Sequence, residues 1–314
     1  MSSRTARRPV DSGACDLPHL AGLGKSGRKF QDPAFWQPYI DEVLRRHGLP
    51  ADRATLGSGG TFPTFLVGAY VVKFFGRRFD GAECFSVERS IHTRILREVD
   101  APVPVHVAHG HLFQAGWRWP YIVTTRIVGT PWREAGDRDR WKMSVAAQLG
   151  VTLRRVHALE CPDEPVWRRD TIGELRATCA ARHRRRRMLP DRLVDEIDDY
   201  LATPSPTRRL VHADLHGDHI FVKGGRLAGI IDWGDALCGD PFYELPALFF
   251  GSFEGDKALL RVFLDAYGWT VSADFARRAM TMTLVHEFNP LGGHLPPLDS
   301  VKHLDDLAEL LFQR

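Results

Sequence analysis

The chain has 314 residues, 44% of them hydrophobic and 26% charged, the balance of a folded protein with a large core. Lysine and arginine exceed aspartate and glutamate by 42 − 39 = 3, too few to coat a nucleic acid. No apolar run approaches the roughly 18 residues of a membrane helix, and no apolar stretch follows the first basic residues to make a secretory signal. Cys15, Cys84, Cys161, Cys179 and Cys238 lie without paired spacing, which speaks against a disulfide framework and a structural zinc site. The expectation is a reduced, cytoplasmic, monomeric protein of two parts, with no nucleic-acid or membrane partner.

Residues 1–30 hold six Lys/Arg against two Asp with no apolar period, and read as a loose basic leader. A helix is expected after Asp32-Pro33, ending at Gly48, because Phe35, Trp36, Tyr39, Ile40, Val43 and Leu44 recur at helical spacing. Residues 56–75 then read as a hairpin around a Gly-rich turn, 82–98 as a helix, and 105–109 and 121–128 as strands. Ile127–Trp132 is the candidate hinge. Helical patterns follow at 138–158, 171–187, 191–202, 242–251, 256–267, 271–288 and 299–313. A strand-and-turn island at 210–235 interrupts them, and the basic run at 182–187 reads as a solvated helix face.

The island carries the most chemistry. HADLHGDHIFV sets Asp214 in a short loop before a strand, and LAGIID sets Asp232 at the end of the next one. A strand-turn-strand hairpin can bring both carboxylates to one edge, where one accepts a hydroxyl proton and the other holds a hard cation. Phosphoryl transfer asks for this arrangement. Upstream, the turn with Gly57, Ser58, Gly59 and Gly60 lets backbone approach an anion. Lys73 sits among Val71, Val72, Phe74 and Phe75 and requires an anionic partner. Glu88, fifteen residues on, is a candidate for pairing with it.

These motifs give the chain a family resemblance. Over roughly residues 30–312 it resembles the aminoglycoside phosphotransferases, whose fold is related to that of the protein kinases. It is most similar to the hygromycin-type enzymes, through FWQPYIDEVLRRHGLP, VVKFF, DAPVPV, WPYIV, VHADLHGDHIFV and LVHEF. The resemblance implies an α+β, two-lobed protein-kinase-like fold with a small antiparallel-sheet lobe and a larger helical lobe. The implied division is a flexible leader at 1–29, a nucleotide-binding lobe at 30–127 and a catalytic, substrate-binding lobe at 128–314. It implies that Asp214 is the catalytic base, that Asp232 binds Mg2+, and that Lys73, held by Glu88, contacts the phosphates of ATP or GTP. The stretch Val123, Thr124, Thr125, Arg126 and Ile127 corresponds to the hinge whose backbone meets the nucleotide base. His219 stands where most relatives have Asn, and magnesium prefers oxygen ligands. Macrolide phosphotransferases are similar in having His there and tend to use GTP.

Two other classes stand beside this reading. His212, His216 and His219 with the two aspartates would also suit a metal-dependent hydrolase, and a nucleotide-binding module without catalysis would keep the same loops. The hydrolase leaves the Gly turn, Lys73 and Glu88 unexplained, and intact Asp214 and Asp232 speak against the inactive module. For the acceptor, residues 240–314 hold eleven Asp/Glu against six Lys/Arg, which suits a polycationic antibiotic. Asp235, Asp240, Glu244, Glu254, Asp256 and Glu287 are candidates for its wall. Asp240 and Asp256 also fit helix caps. The aromatic and proline-rich segments nearby leave a macrolide, a nucleoside or a small metabolite open as acceptor.

Overall fold

The computed structural model describes residues 17–20, 29–57, 60–94, 99–136, 139–201 and 204–313. The chain divides into two compact units, one comprising residues up to 94 and 103–127, the other 95–102 and 128–314.

The first unit is a five-stranded antiparallel sheet with two helices. Helix α1 (Pro33–Arg46) starts where the sequence places it: Asp32 caps it by accepting the Ala34 N–H at 2.9 Å, and Pro33 opens it. It is followed by β1 (Thr55–Leu56), β2 (Thr64–Val67), β3 (Tyr70–Phe74), α2 (Gly81–Thr93), β4 (His106–His111) and β5 (Pro120–Thr125). The sheet order is β1-β2-β3-β5-β4. The apolar stripe of α1 is buried, and Trp36 stacks on Phe74 of β3 with centroids 4.7 Å apart. Part of the expected leader belongs to this core. Leu20 is buried in it, and the Pro18 carbonyl accepts the Tyr39 hydroxyl at 2.9 Å. For residues 17–20, then, packing replaces flexibility, and residues 1–16 and 21–28 lie outside the described residues.

The second unit holds the longest helix, α3 (Asp139–Val156), then α4 (Thr171–Ala177), α5 (Cys179–Arg186), α6 (Asp191–Asp195) and α7 (Ile197–Tyr200). The single helix expected at 171–187 is thus two. The Thr178 hydroxyl donates back to the Glu174 carbonyl, a bond that competes with the helix ladder at the break. The sheets come next: β6 (Thr130–Pro131) pairs with β8 (Ile220–Lys223), which pairs with β9 (Arg226–Ile230). Strand β7 (Arg209–Val211) pairs with β10 (Leu237–Gly239). Gly224 and Gly225, at φ +56° and +73°, make the tight β8–β9 turn that the KGGR segment predicts. Helices α8 (Glu244–Gly251), α9 (Lys257–Tyr267), α10 (Phe275–Val285) and α11 (Leu304–Phe312) complete the unit. Helix α3 meets α9 at Gly150, where a Cβ would lie 2.5 Å from the Phe263 carbonyl oxygen, so only glycine fits there.

The cysteine expectation is overturned: Cys161 and Cys238 form a disulfide, 77 residues apart in sequence. Cys161 follows α3 and Cys238 lies in β10, so tertiary packing alone brings them together. Among the described residues, Cys179 is a buried free thiol.

Candidate active site

The first unit positions a buried ion pair. Lys73 on β3 and Glu88 on α2 approach to 2.6 Å, and both are nearly excluded from water. The ammonium also lies over the rings of Phe75 and Phe62, at 5.2 and 5.8 Å. A lysine in an apolar strand is tolerated here because a carboxylate and two ring faces compensate its charge. Of the Gly-rich turn, Gly57 donates its N–H to the Thr64 carbonyl at 2.9 Å, which closes the hairpin. Ser58 and Gly59 lie outside the described residues, and Gly60 has open space where a side chain would stand. Along the expected hinge, Val123 is buried in β5 and Thr124 pairs with Val71 and His106. The N–H groups of Thr125 and Arg126 are taken by the carbonyls of Val105 and Ala69, both at 2.9 Å.

The second unit builds the HxD loop between β7 and β8. The chain leaves β7 through Ala213 at φ +68°, and Asp232 after β9 sits at φ +62°, both unusual for residues with a Cβ. His212 fixes the loop from within. Its Nε2–H donates to the Ile231 carbonyl at 2.9 Å, and its Nδ1 accepts the Asp214 N–H at 3.3 Å. The His212 N–H is in turn accepted by the Glu244 carboxylate at 2.8 Å.

Two imidazoles and three carboxylates converge on this loop. His216 Nε2 is 3.6 Å from Asp214 Oδ2, and His216 Nδ1 is 3.5 Å from Asp218, which Arg133 grips at 3.0 Å. Burial pushes the His216 pKa down, but the Asp214 and Asp218 carboxylates outweigh it and leave it raised. His219 donates from Nδ1 to the Asp214 carbonyl at 2.7 Å. Its Nε2 lone pair is thereby turned toward Asp232 Oδ2, 3.5 Å away. Burial lowers the His219 pKa, so the ring is neutral near pH 7.

This donor set suits a cation. An imidazole lone pair and a carboxylate oxygen facing each other need positive charge between them, and the backbone carbonyl on the far nitrogen fixes the tautomer. Ligand atoms of Asp214, His216 and His219 also lie within 4.8 Å of one another.

The expected acceptor wall is dispersed. Glu244 is fully buried, bonded to the His212 N–H and 3.4 Å from His157. Asp240 caps the turn at Phe242 and lies 3.9 Å from Arg278, and Asp256 caps α9. Asp235 and Glu287 are exposed. A cavity of about 680 Å³ does open beside Asp214, and of the six acids only Glu254 lines it. Phe250, Phe288, His286 and His294 are further lining residues.

The basic run at 182–187 is not a solvated face throughout. Arg182 donates to the Val285 and His286 carbonyls at 2.6 and 3.1 Å, His183 to Leu284 at 2.9 Å, and Arg186 to Glu287 at 2.6 Å. Four successive carbonyls at the end of α10 are satisfied from α5, as a helix C-terminus requires.

Residues 52–281 match a family profile described as "Phosphotransferase enzyme family". Among curated proteins, the chain is 24% identical over 248 residues to the lysine-specific demethylase JMJ21 of Arabidopsis thaliana. That alignment covers 55% of this chain and 26% of the relative. It is 35% identical over 57 residues to the hygromycin-B 4-O-kinase of Escherichia coli, 18% of this chain and 17% of that enzyme. The chain thus spans about a quarter or less of the length of these two relatives. Among solved structures, the GDP complex of wild-type aminoglycoside 2'-phosphotransferase-IIIa aligns with a TM-score of 0.59 at 19% identity. The alignment covers 87% of this chain and 96% of that one, so the two share a fold.

Proposed function

Because the chain belongs to the phosphotransferase enzyme family, we propose that it transfers the γ-phosphoryl group of ATP or GTP to a hydroxyl of an aminoglycoside-type or other hydroxylated antibiotic. The observation that carries this is the Asp214 loop: a carboxylate held beside a cavity of antibiotic size, with Asp232 and His219 disposed toward a common point. Asp214 accepts the proton of the acceptor hydroxyl as its oxygen attacks the γ-phosphorus. A new P–O bond forms, the bond to the β–γ bridging oxygen breaks, and nucleoside diphosphate leaves. Lys73, aimed by Glu88, neutralises phosphate charge. Asp232 and His219 would hold magnesium, which supplies further neutralisation of the phosphates.

The structural neighbour's GDP complex supports a nucleotide donor, and the hygromycin kinase supports an antibiotic acceptor. Phosphorylation adds charge and bulk to the drug, so resistance or producer self-protection is the proposed role. Among the described residues no helix is long and apolar enough to cross a membrane. We place the activity in the cytoplasm, in a monomer. The test is mass spectrometry after incubation with magnesium, ATP or GTP, and a panel of aminoglycosides, macrolides and nucleosides. A product heavier by one phosphoryl group supports the reading, and nucleotide binding without any product removes it.

A further inference from the structure

Two imidazoles of the HxD loop are oriented as metal ligands are. His219 donates from Nδ1 to the Asp214 carbonyl at 2.7 Å, which leaves its Nε2 lone pair facing Asp232 Oδ2 at 3.5 Å. His216 presents Nε2 to Asp214 Oδ2 at 3.6 Å. Behind that ring, Nδ1 accepts the Asp218 N–H at 3.3 Å and lies 3.5 Å from the Asp218 carboxylate, which Arg133 holds at 3.0 Å. The two rings lie side by side, with centroids 3.9 Å apart. Each ring thus has an oxygen acceptor behind its outer nitrogen and a carboxylate oxygen before its inner one. That pairing fixes the tautomer and aim of a histidine on a metal. The nitrogen-to-oxygen spans of 3.5 and 3.6 Å are close to the edge of a tetrahedron with ~2.1 Å bonds, about 3.4 Å. One ligand atom from each of Asp214, His216 and His219 lies within 4.8 Å of the other two.

Magnesium does not call for this set. It seeks oxygen, and His216 has no part in the pair Asp232 and His219 proposed for it. Two imidazoles with carboxylate oxygens suit zinc and its transition-metal neighbours.

We propose that this loop is a site for a divalent transition-metal ion of the zinc class, bound by His216 Nε2, His219 Nε2 and Asp214 Oδ2, with Asp232 in reach as a fourth ligand. As His216 becomes a ligand, the proton on its Nε2 is given up and Nδ1 takes one, which the Asp218 carboxylate accepts. The ion engages the Asp214 lone pair that receives the hydroxyl proton, and the His219 lone pair offered to magnesium. Its effect on turnover rests on the phosphotransferase reading above: zinc inhibits by occupying the base. Binding itself does not depend on that reading.

The test uses the full chain, stripped of metal with a chelator and titrated with zinc chloride by calorimetry. Cobalt(II) serves as a coloured stand-in, because its visible bands report tetrahedral coordination. One ion per chain is expected. His216→Asn and His219→Asn should each weaken zinc by about 10- to 100-fold and flatten the cobalt bands, at a native Tm. His219→Asn also exchanges a nitrogen ligand for an oxygen. Its magnesium affinity should therefore hold or rise while zinc affinity falls, a reversal that a merely structural ring would not produce. Zinc should inhibit phosphoryl transfer at the free concentration at which it binds, and a chelator should restore the rate. Zinc that does not bind, that binds equally well in both variants, or that equimolar magnesium displaces overturns the proposal. So does a pale, octahedral cobalt spectrum in the native chain, whatever the variants do, or native turnover at saturating zinc. A chain that holds zinc as expected yet phosphorylates no antibiotic removes the phosphotransferase reading and leaves the metal site standing.

Discussion

Glu244 accepts the backbone N–H of His212 at 2.8 Å, from a position with no exposure to solvent. The HxD loop therefore hangs on a buried carboxylate thirty-two residues further along the chain. His157, itself bonded to the Tyr267 hydroxyl at 2.9 Å, lies on the other side of that carboxylate. Glu244→Ala would leave the His212 N–H and His157 without their partner. The expected cost is roughly 3–5 kcal/mol of folding stability, read from urea denaturation. A variant that unfolds at the native midpoint would show that the loop does not depend on Glu244.

Asp214→Asn keeps the shape of the loop side chain but removes its basicity. Turnover should fall by about 10²- to 10⁴-fold, while nucleotide binding by calorimetry stays near native. A variant retaining the native rate would displace Asp214 from the role of base.

Lys73→Met tests the first unit. It leaves the Glu88 carboxylate buried with the lysine partner gone, and a cost of about 3–5 kcal/mol is expected from that alone. Nucleotide affinity should drop as well. Lys73→Met combined with Glu88→Gln should regain most of the stability but not the affinity. Thermal melts with and without ATP separate the two effects, and equal recovery of both would deny Lys73 a phosphate contact.

Acid should destabilise the second unit through two buried groups. The His286 pKa is depressed to about 4, so between about pH 6.5 and 4 the unfolded chain takes a proton that the folded chain refuses. Stability from this group is complete above pH 6.5 and lost as pH falls toward 4, on the order of 3 kcal/mol in all. Burial pushes the Glu244 carboxyl up, but the hydrogen bond and charge of His157 and His212 outweigh it and hold the pKa below its ordinary 4.5. Its contribution is present above 4.5 and fades as pH drops through the lowered value. In His286→Phe the slope between pH 6.5 and 4 should flatten. An unchanged slope would assign it to other groups.

Reduction of the Cys161–Cys238 bond opens a closed loop of 77 residues. Chain-entropy arguments put the loss at about 4.5 kcal/mol. The Tm of the second unit should fall in dithiothreitol and in Cys161→Ser/Cys238→Ser. Equal melts with and without reductant would mean that the bond is not formed in solution.

The sequence was most legible where chemistry and local pattern coincide. Lys73 in an apolar strand demanded a counter-charge, and Glu88 supplies it on the expected helix. HAD and IID announced their loop through residue types rarely assembled by chance. Distance in the chain hid the rest. Cys161 and Cys238 meet only after α3 and β10 have packed, so no spacing rule could pair them. Glu244 was counted in an acidic stretch, although the apolar LPALFF that follows it was a sign of burial. The Arg182 run looked solvated because its partners are bare carbonyls at 284–287, which carry no side-chain signal. LVHEF contributed to the resemblance, but the burial of His286 against the Tyr243 ring is a property of three dimensions.

The hold of α5 on the end of α10 has a practical side for anyone redesigning the protein. With a pI near 8.6, the arginine-rich stretch is the obvious target for charge reduction to improve handling and curb adsorption. Arg184, which pairs with exposed Asp195, and Arg185, which touches none of those carbonyls, can be exchanged cheaply. Arg182, His183 and Arg186 act as guy-lines for the segment that carries His286. Neutralising them would trade a better-behaved sample for a slack wall in the cavity beside Asp214.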